Sequence, residues 1–260
     1  MHVSAATRPA PGTVNEDTFL LGPRYAAVLD GCTDPGRDSG CIHDVPWLVA
    51  RLSGHLGTVL THDQGPLTEL VGEAISRVCA DHRDSCDLSN PDSPSSTVTV
   101  VRELDGAVEY LALGDSPLLL ESGDGGVEFV CDDQVDHLAS YALDDVAAAR
   151  NAPGGFWVAS TDPAAPMHGV RGELAHGTVR SALLMSDGVS RLGERYDYSW
   201  RAVLDLIATD GPSAAIDAVH RCDAQPRVPA TSPGRSSPSK RFDDATAALC
   251  RMDNVMTNHT

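Results

Sequence analysis

The stretch Arg24-Tyr-Ala-Ala-Val-Leu-Asp-Gly-Cys-Thr-Asp34 packs five apolar residues into Tyr25 to Leu29 and then stops at Asp30 and Gly31. A short apolar run bounded by turn residues reads as a buried strand. A carboxylate at the tip of such a strand needs a reason, and three other places in the chain repeat the pattern. They are Asn15-Glu16-Asp17 ahead of Phe19 to Leu21, Met185-Ser-Asp187-Gly188 after an apolar run, and Phe242-Asp243-Asp244-Ala-Thr246 before one. Glycine directly after aspartate lets the backbone turn and leaves a carbonyl free to face an ion. Taken singly, each reads more readily as a solvated turn than as a ligand.

The surroundings of these tips narrow the chemistry. A formal charge of −18 repels phosphate backbones and anionic lipid surfaces, so neither nucleic acid nor membrane is expected as a partner. Carboxylates that converge would instead collect hard divalent cations, which prefer oxygen ligands. Hydrophobic residues at 42% allow a sizeable core, and no apolar run is long enough to span a bilayer. The start of the chain lacks a basic, apolar leader, so a cytoplasmic location is expected. Seven scattered cysteines without a Cys-x-x-Cys pair suggest neither a disulfide framework nor a thiolate zinc site but reduced thiols, and ten histidines without His-x-x-x-His or His-Glu-x-x-His spacing give no zinc-enzyme motif.

Periodicity places the remaining elements. Helices are predicted over Asp44 to Leu60, Pro66 to Ala80, Val135 to Arg150, Ser199 to Asp210 and Pro212 to Cys222. Between them, Ser96 to Leu104, Ala107 to Asp115, Pro117 to Ser122 and Gly126 to Val130 predict a meander of antiparallel strands. Further strands are expected at Phe156 to Ser160, Thr178 to Asp187 and Asp244 to Met252. A Pro- and Ser-rich stretch gives an expected mobile loop at 224–241. The whole reads as one α+β domain over residues 1–260.

In order and spacing, the four tips, with Ser96-Thr-Val-Thr-Val-Val101, Leu111-Ala-Leu-Gly-Asp-Ser116 and the stretch Gly154 to Ala165, resemble the metal-dependent serine/threonine protein phosphatases of the PPM (type 2C) family, bacterial members included. The resemblance implies a four-layer αββα sandwich of two antiparallel sheets flanked by helices. It also implies two Mn2+ or Mg2+ ions at one end. Asp30 would bridge them, Glu16 and the Gly31 carbonyl would serve one, and Asp187 and Asp243 the other, with Asp17 and Asp244 behind. Asp115 matches a ligand of a third ion in some bacterial members. The implied reaction is hydrolysis of phosphoserine or phosphothreonine in proteins by an activated water, with Asp30, Asp187 and Asp243 at its centre. A small phosphorylated metabolite as substrate, or a silent regulatory or binding module, are the alternatives.

Three positions depart from the family pattern. Gly12 stands where many members have a phosphate-gripping arginine, which leaves Arg8 as a nearby substitute. Cys32 replaces a histidine that follows Asp-Gly, so Cys32, His43 and Asp34 are the candidates for protonating the leaving alcohol. Arg191 replaces an aspartate that helps to hold the third ion. Residues 193–199 fall where relatives carry a variable flap, and Trp47, Trp157 and Trp200 are expected in apolar packing.

Overall fold

The structure is a computed structural model that describes residues 1–33, 35–225 and 240–253. Asp34 and most of the loop expected at 224–241 lie outside the described residues. One sheet has the strand order β1-β10-β9-β6-β7, and the other β2-β3-β4-β5-β8. The strands are β1 (His2–Arg8), β2 (Thr18–Leu21), β3 (Tyr25–Leu29), β4 (Val98–Glu103), β5 (Ala107–Leu113), β6 (Leu118–Ser122), β7 (Val127–Val130), β8 (Val170–Ala175), β9 (Val179–Met185) and β10 (Ala245–Arg251). All pairings are antiparallel.

The four layers explain the continuous apolar strands. In β3, Tyr25, Ala27 and Leu29 pack against the helices α1 (Val45–His62) and α2 (Leu67–His82), while Ala26 and Val28 face the second sheet. In β9, Leu183 and Met185 meet the helices α4 (Asp187–Arg195), α5 (Trp200–Asp210) and α6 (Pro212–Ala224), and Ala182 and Leu184 face inward. A strand covered on both faces loses its polar alternation, because each side chain of either parity leaves water.

Antiparallel register gathers the acidic tips. Thr18 pairs with Leu29, so β2 begins where β3 ends, and Val98 pairs with Leu113, so β4 begins where β5 ends. In the other sheet Met185 pairs with Ala247 and Leu118 with Leu184, so β9 ends beside the starts of β10 and β6. The Asp187 amide donates to Asp30 Oδ2 at 3.1 Å, which ties the two sheets together at this end.

Several sequence expectations need correction. The meander is split: β4 and β5 belong to one sheet, and after Gly114 to Pro117 the chain crosses to place β6 and β7 in the other. Val135 to Arg150 is not one helix. A 3-10 turn at Gln134–His137 precedes the short α3 (Leu143–Ala149), since few of these side chains find a core to cover and only Ala147 within α3 is buried. Phe156 to Ser160 forms isolated bridges, with Ala159 exchanging both hydrogen bonds with Ser96, and not a strand. Both β1 and β8 lacked a sequence reading, and residues 193–195 belong to α4. Trp157 is buried and stacked on His168 at 3.6 Å, while Trp200 packs on Phe129 at 4.5 Å.

Candidate active site

Where the strand tips meet, Asp30, Gly31, Cys32, Asp115, Asp187 and Asp243 line a cavity of about 220 Å³. Asp30 is the most tightly braced of them. Its carbonyl accepts from the Thr97 amide at 2.9 Å and from Ser96 Oγ at 3.0 Å, and its carboxylate lies 3.4 Å from Ser116 Oγ. Gly31 admits no side chain, because an added Cβ would overlap Val45 Cγ1 and stand 2.6 Å from the Glu16 carbonyl oxygen. That oxygen accepts the Gly31 amide at 3.1 Å, so the first and second tips are joined backbone to backbone.

Glu16 lies outside the cavity lining and reaches it through this contact. Asp244, buried, accepts from the amides of Ala10 at 2.7 Å and Glu16 at 2.6 Å, clamping the loop before β2 onto the start of β10. Asp17 is also buried, and its Oδ2 has no hydrogen-bond partner. Asp187 opens α4, directly after β9. Asp243 is held between Arg191 and Lys240, the latter at 3.3 Å.

Electrostatically the pocket is overcharged. Burial, with the charges of Asp17, Asp187 and Asp115, pushes the Asp30 carboxyl well above its ordinary range. Burial, then Asp243 and Asp115, pushes Asp187 up to about 8. Burial raises Asp17 to about 6. These carboxylates have been gathered without enough cationic partners, and an oxygen-seeking divalent ion suits them. No three of them bring ligand atoms within 4.8 Å of one another: among the described residues that occurs only at Cys41, His82 and Cys86.

Arg8 pairs with Asp217 of α6 at 2.5 Å, so it is engaged on the outer face of β1 and not at the cavity. Arg191 is fully buried behind Asp243, bridging it to Asp223, and does not line the pocket. Cys32 lines the cavity, and burial raises its thiol against the pull of Arg150. His43 stacks on Trp47 at 3.8 Å and lines a second, smaller recess shared with Cys32 and Arg150.

Arg150, Asp132 and the Phe156–Val158 wall were missed by the sequence reading. Arg150 follows α3, its Nη1 donates to the Pro91 carbonyl at 3.0 Å, and its buried Nε has no hydrogen-bond partner. A lone arginine after a short helix carries no sequence signal. Asp132 accepts the Gly114 amide at 3.3 Å, where a φ of +83° requires glycine.

A two-sheet sandwich whose strand tips pool carboxylates around one pocket, with a guanidinium beside it, is built to bring polyvalent cations and a phosphoryl anion together. The family model of protein phosphatase 2C matches residues 10–219. The chain belongs to that family, and so to the metal-dependent hydrolases of phosphoserine and phosphothreonine in proteins. Among solved structures it is similar to the serine/threonine phosphatase PstP/Ppp of Mycobacterium tuberculosis, at 16% identity, a TM-score of 0.63 and coverage of 97% of this chain and 98% of that one. It is similar to the PPM Ser-Thr phosphatase MsPP of Mycobacterium smegmatis, crystallised with cacodylate, at 18% identity, a TM-score of 0.57 and coverage of 97% and 99%. The catalytic domain of PstP in complex with two manganese ions matches at 16% identity and a TM-score of 0.57, covering 95% and 96%. Such likenesses establish the fold. No curated protein sequence matches. Among the described residues no helix is long and apolar enough to cross a membrane.

Proposed function

We propose that the carboxylate-lined cavity is the catalytic centre of a cytoplasmic protein phosphatase in which the whole chain works as one domain. Glu16, Asp30, the Gly31 carbonyl, Asp187 and Asp243 would hold two manganese or magnesium ions, with Asp17 and Asp244 fixing the ligands from behind and Asp115 available to a third. The observation that carries this reading is the convergence of Asp30, Asp115, Asp187 and Asp243 on one cavity, where burial and neighbouring carboxylates push Asp30 and Asp187 up. When bound, such ions supply an acidified water and Lewis acidity toward the phosphoryl oxygens.

The chain's own groups do the rest. Arg150 offers its guanidinium to the phosphoryl oxygens from the cavity wall, the task that Gly12 cannot perform. Cys32, kept as a thiol by burial, donates its Sγ proton to the leaving alkoxide. Phe156, Trp157 and Val158 exclude water from one side. Arg191 pairs with Asp243 and holds it in orientation. The small volume of the pocket also suits a phosphorylated metabolite, which is the second reading.

Manganese-dependent hydrolysis of a chromogenic aryl phosphate, phosphopeptides and a panel of phosphometabolites, set against Asp30→Asn, tests both. Phosphopeptide turnover lost in Asp30→Asn supports the proposal. Turnover of one metabolite alone selects the second reading, and equal negligible rates in both proteins leave a binding module.

A further inference from the structure

Cys41, His82 and Cys86 come together about the C-terminal end of α2, outside the lining of the carboxylate cavity. Cys41 Sγ lies 3.0 Å from Cys86 Sγ and 3.5 Å from His82 Nδ1. His82 is 2% exposed and its other nitrogen, Nε2, has no hydrogen-bond partner, so hydrogen bonding does not account for a polar ring at this depth. All seven cysteines are free thiols.

We propose that Cys41, Cys86 and His82 bind a zinc ion, separate from the divalent ions of the phosphatase centre. Two sulfurs and an imidazole are a borderline-soft donor set that selects zinc over magnesium or manganese. Zinc–sulfur bonds of about 2.3 Å and a zinc–nitrogen bond of about 2.0 Å at tetrahedral angles separate sulfur from nitrogen by about 3.5 Å, the distance found here. The two sulfurs need to part by less than ~1 Å to reach the corresponding sulfur–sulfur spacing. A disulfide would use the sulfurs alone and leave the imidazole without a role.

The position gives the ion a structural task. The segment from Pro35 to Asp44 leads from the Gly31 tip into α1, and it is already laced to the segment after α2. The Asp87 amide donates to the Gly40 carbonyl at 2.8 Å, Asn90 Nδ2 to the Asp38 carbonyl at 3.0 Å, and Arg37 pairs with Asp92 at 2.5 Å. Zinc would close this lacing with covalent-strength bonds and fix the approach to Cys32. His43, whose ring centroid is 6.0 Å from that of His82, would complete the fourth position only by leaving Trp47, so solvent is the expected fourth ligand.

The test is cobalt(II) titration of the full chain, kept reduced with a thiol-free phosphine and loaded with manganese, followed by displacement with zinc. Wild type and Cys222→Ser are expected to develop thiolate-to-cobalt charge-transfer absorption with strong visible bands of a tetrahedral centre, bleached by one equivalent of zinc. Cys41→Ser and Cys86→Ser are expected to lose the charge-transfer signal while circular dichroism stays native. The wild-type titration decides even if a variant fails to fold: absence of the charge-transfer band overturns the proposal. So does its survival in Cys41→Ser, or a Cys41–Cys86 disulfide mapped in the reduced, zinc-supplemented protein. Carboxylate-bound cobalt gives no sulfur charge transfer, so the outcome is independent of the phosphatase assay.

Discussion

Removing divalent cations with a chelator and raising the pH is expected to destabilise this protein through its own catalytic carboxylates. Asp187 has a folded-state pKa of about 8 against an ordinary 3.8. Between these values the native chain holds more protons than the unfolded one, so stability is full below about pH 4 and is lost as pH rises toward about 8. At ~1.4 kcal/mol per pKa unit, Asp187 alone costs the cation-free fold on the order of 5 kcal/mol at pH 8, or roughly 10 °C in Tm for a chain of this size. Asp17, raised to about 6, adds in the same direction over the lower half of the window. His82 opposes it, because its lowered pKa makes the fold gain stability as pH rises through the histidine range. The clean readout is therefore the difference between wild type and Asp187→Asn, measured by thermal unfolding from pH 5 to pH 8 in chelator. The variant is expected to outlast wild type by a margin that widens with pH, and manganese is expected to stabilise wild type more at pH 8 than at pH 5. A margin that does not change with pH, or a manganese shift equal at both ends, would refute the reasoning.

Other outcomes follow from single contacts. Gly188→Ala would drive a methyl into the Asp244 carbonyl, and a loss of about 2–3 kcal/mol in urea unfolding is expected, with a native-like midpoint counting against the packing argument. Arg150→Ala is expected to raise KM for phosphorylated substrates roughly 10- to 100-fold, the worth of a charge-assisted hydrogen bond, with a smaller effect on kcat; an unchanged KM removes Arg150 from phosphate binding. Asp244→Asn replaces one of two acceptors for the Ala10 and Glu16 amides with a donor. It is expected to cost about 1–3 kcal/mol and to weaken manganese binding measured calorimetrically, since Glu16 loses its clamp.

Sequence and tertiary structure contributed different parts of this picture. The runs Tyr25 to Leu29 and Val98 to Val101 were legible because backbone pairing and burial act on neighbouring residues, and local patterns record them. The acidic tips were legible because each adjoins an apolar run, and two of them, Asp30-Gly31 and Asp187-Gly188, add a turn dipeptide. Their meeting was not derivable from any one run, since it depends on which strands pair and in what register. The long helix expected over Val135 to Arg150 failed for the converse reason: helical spacing is necessary for an amphipathic helix, but a surface to cover is what stabilises it. Arg150, the pairing of Arg191 with Asp243, and the Cys41–His82–Cys86 cluster were decided by the fold alone. Only His82-x-x-x-Cys86, at one helical turn's spacing, left a trace in the sequence. Chemistry assembled from distant segments is a property of distances in space, and those are set by the packing of both sheets, not by the order of residues along the chain.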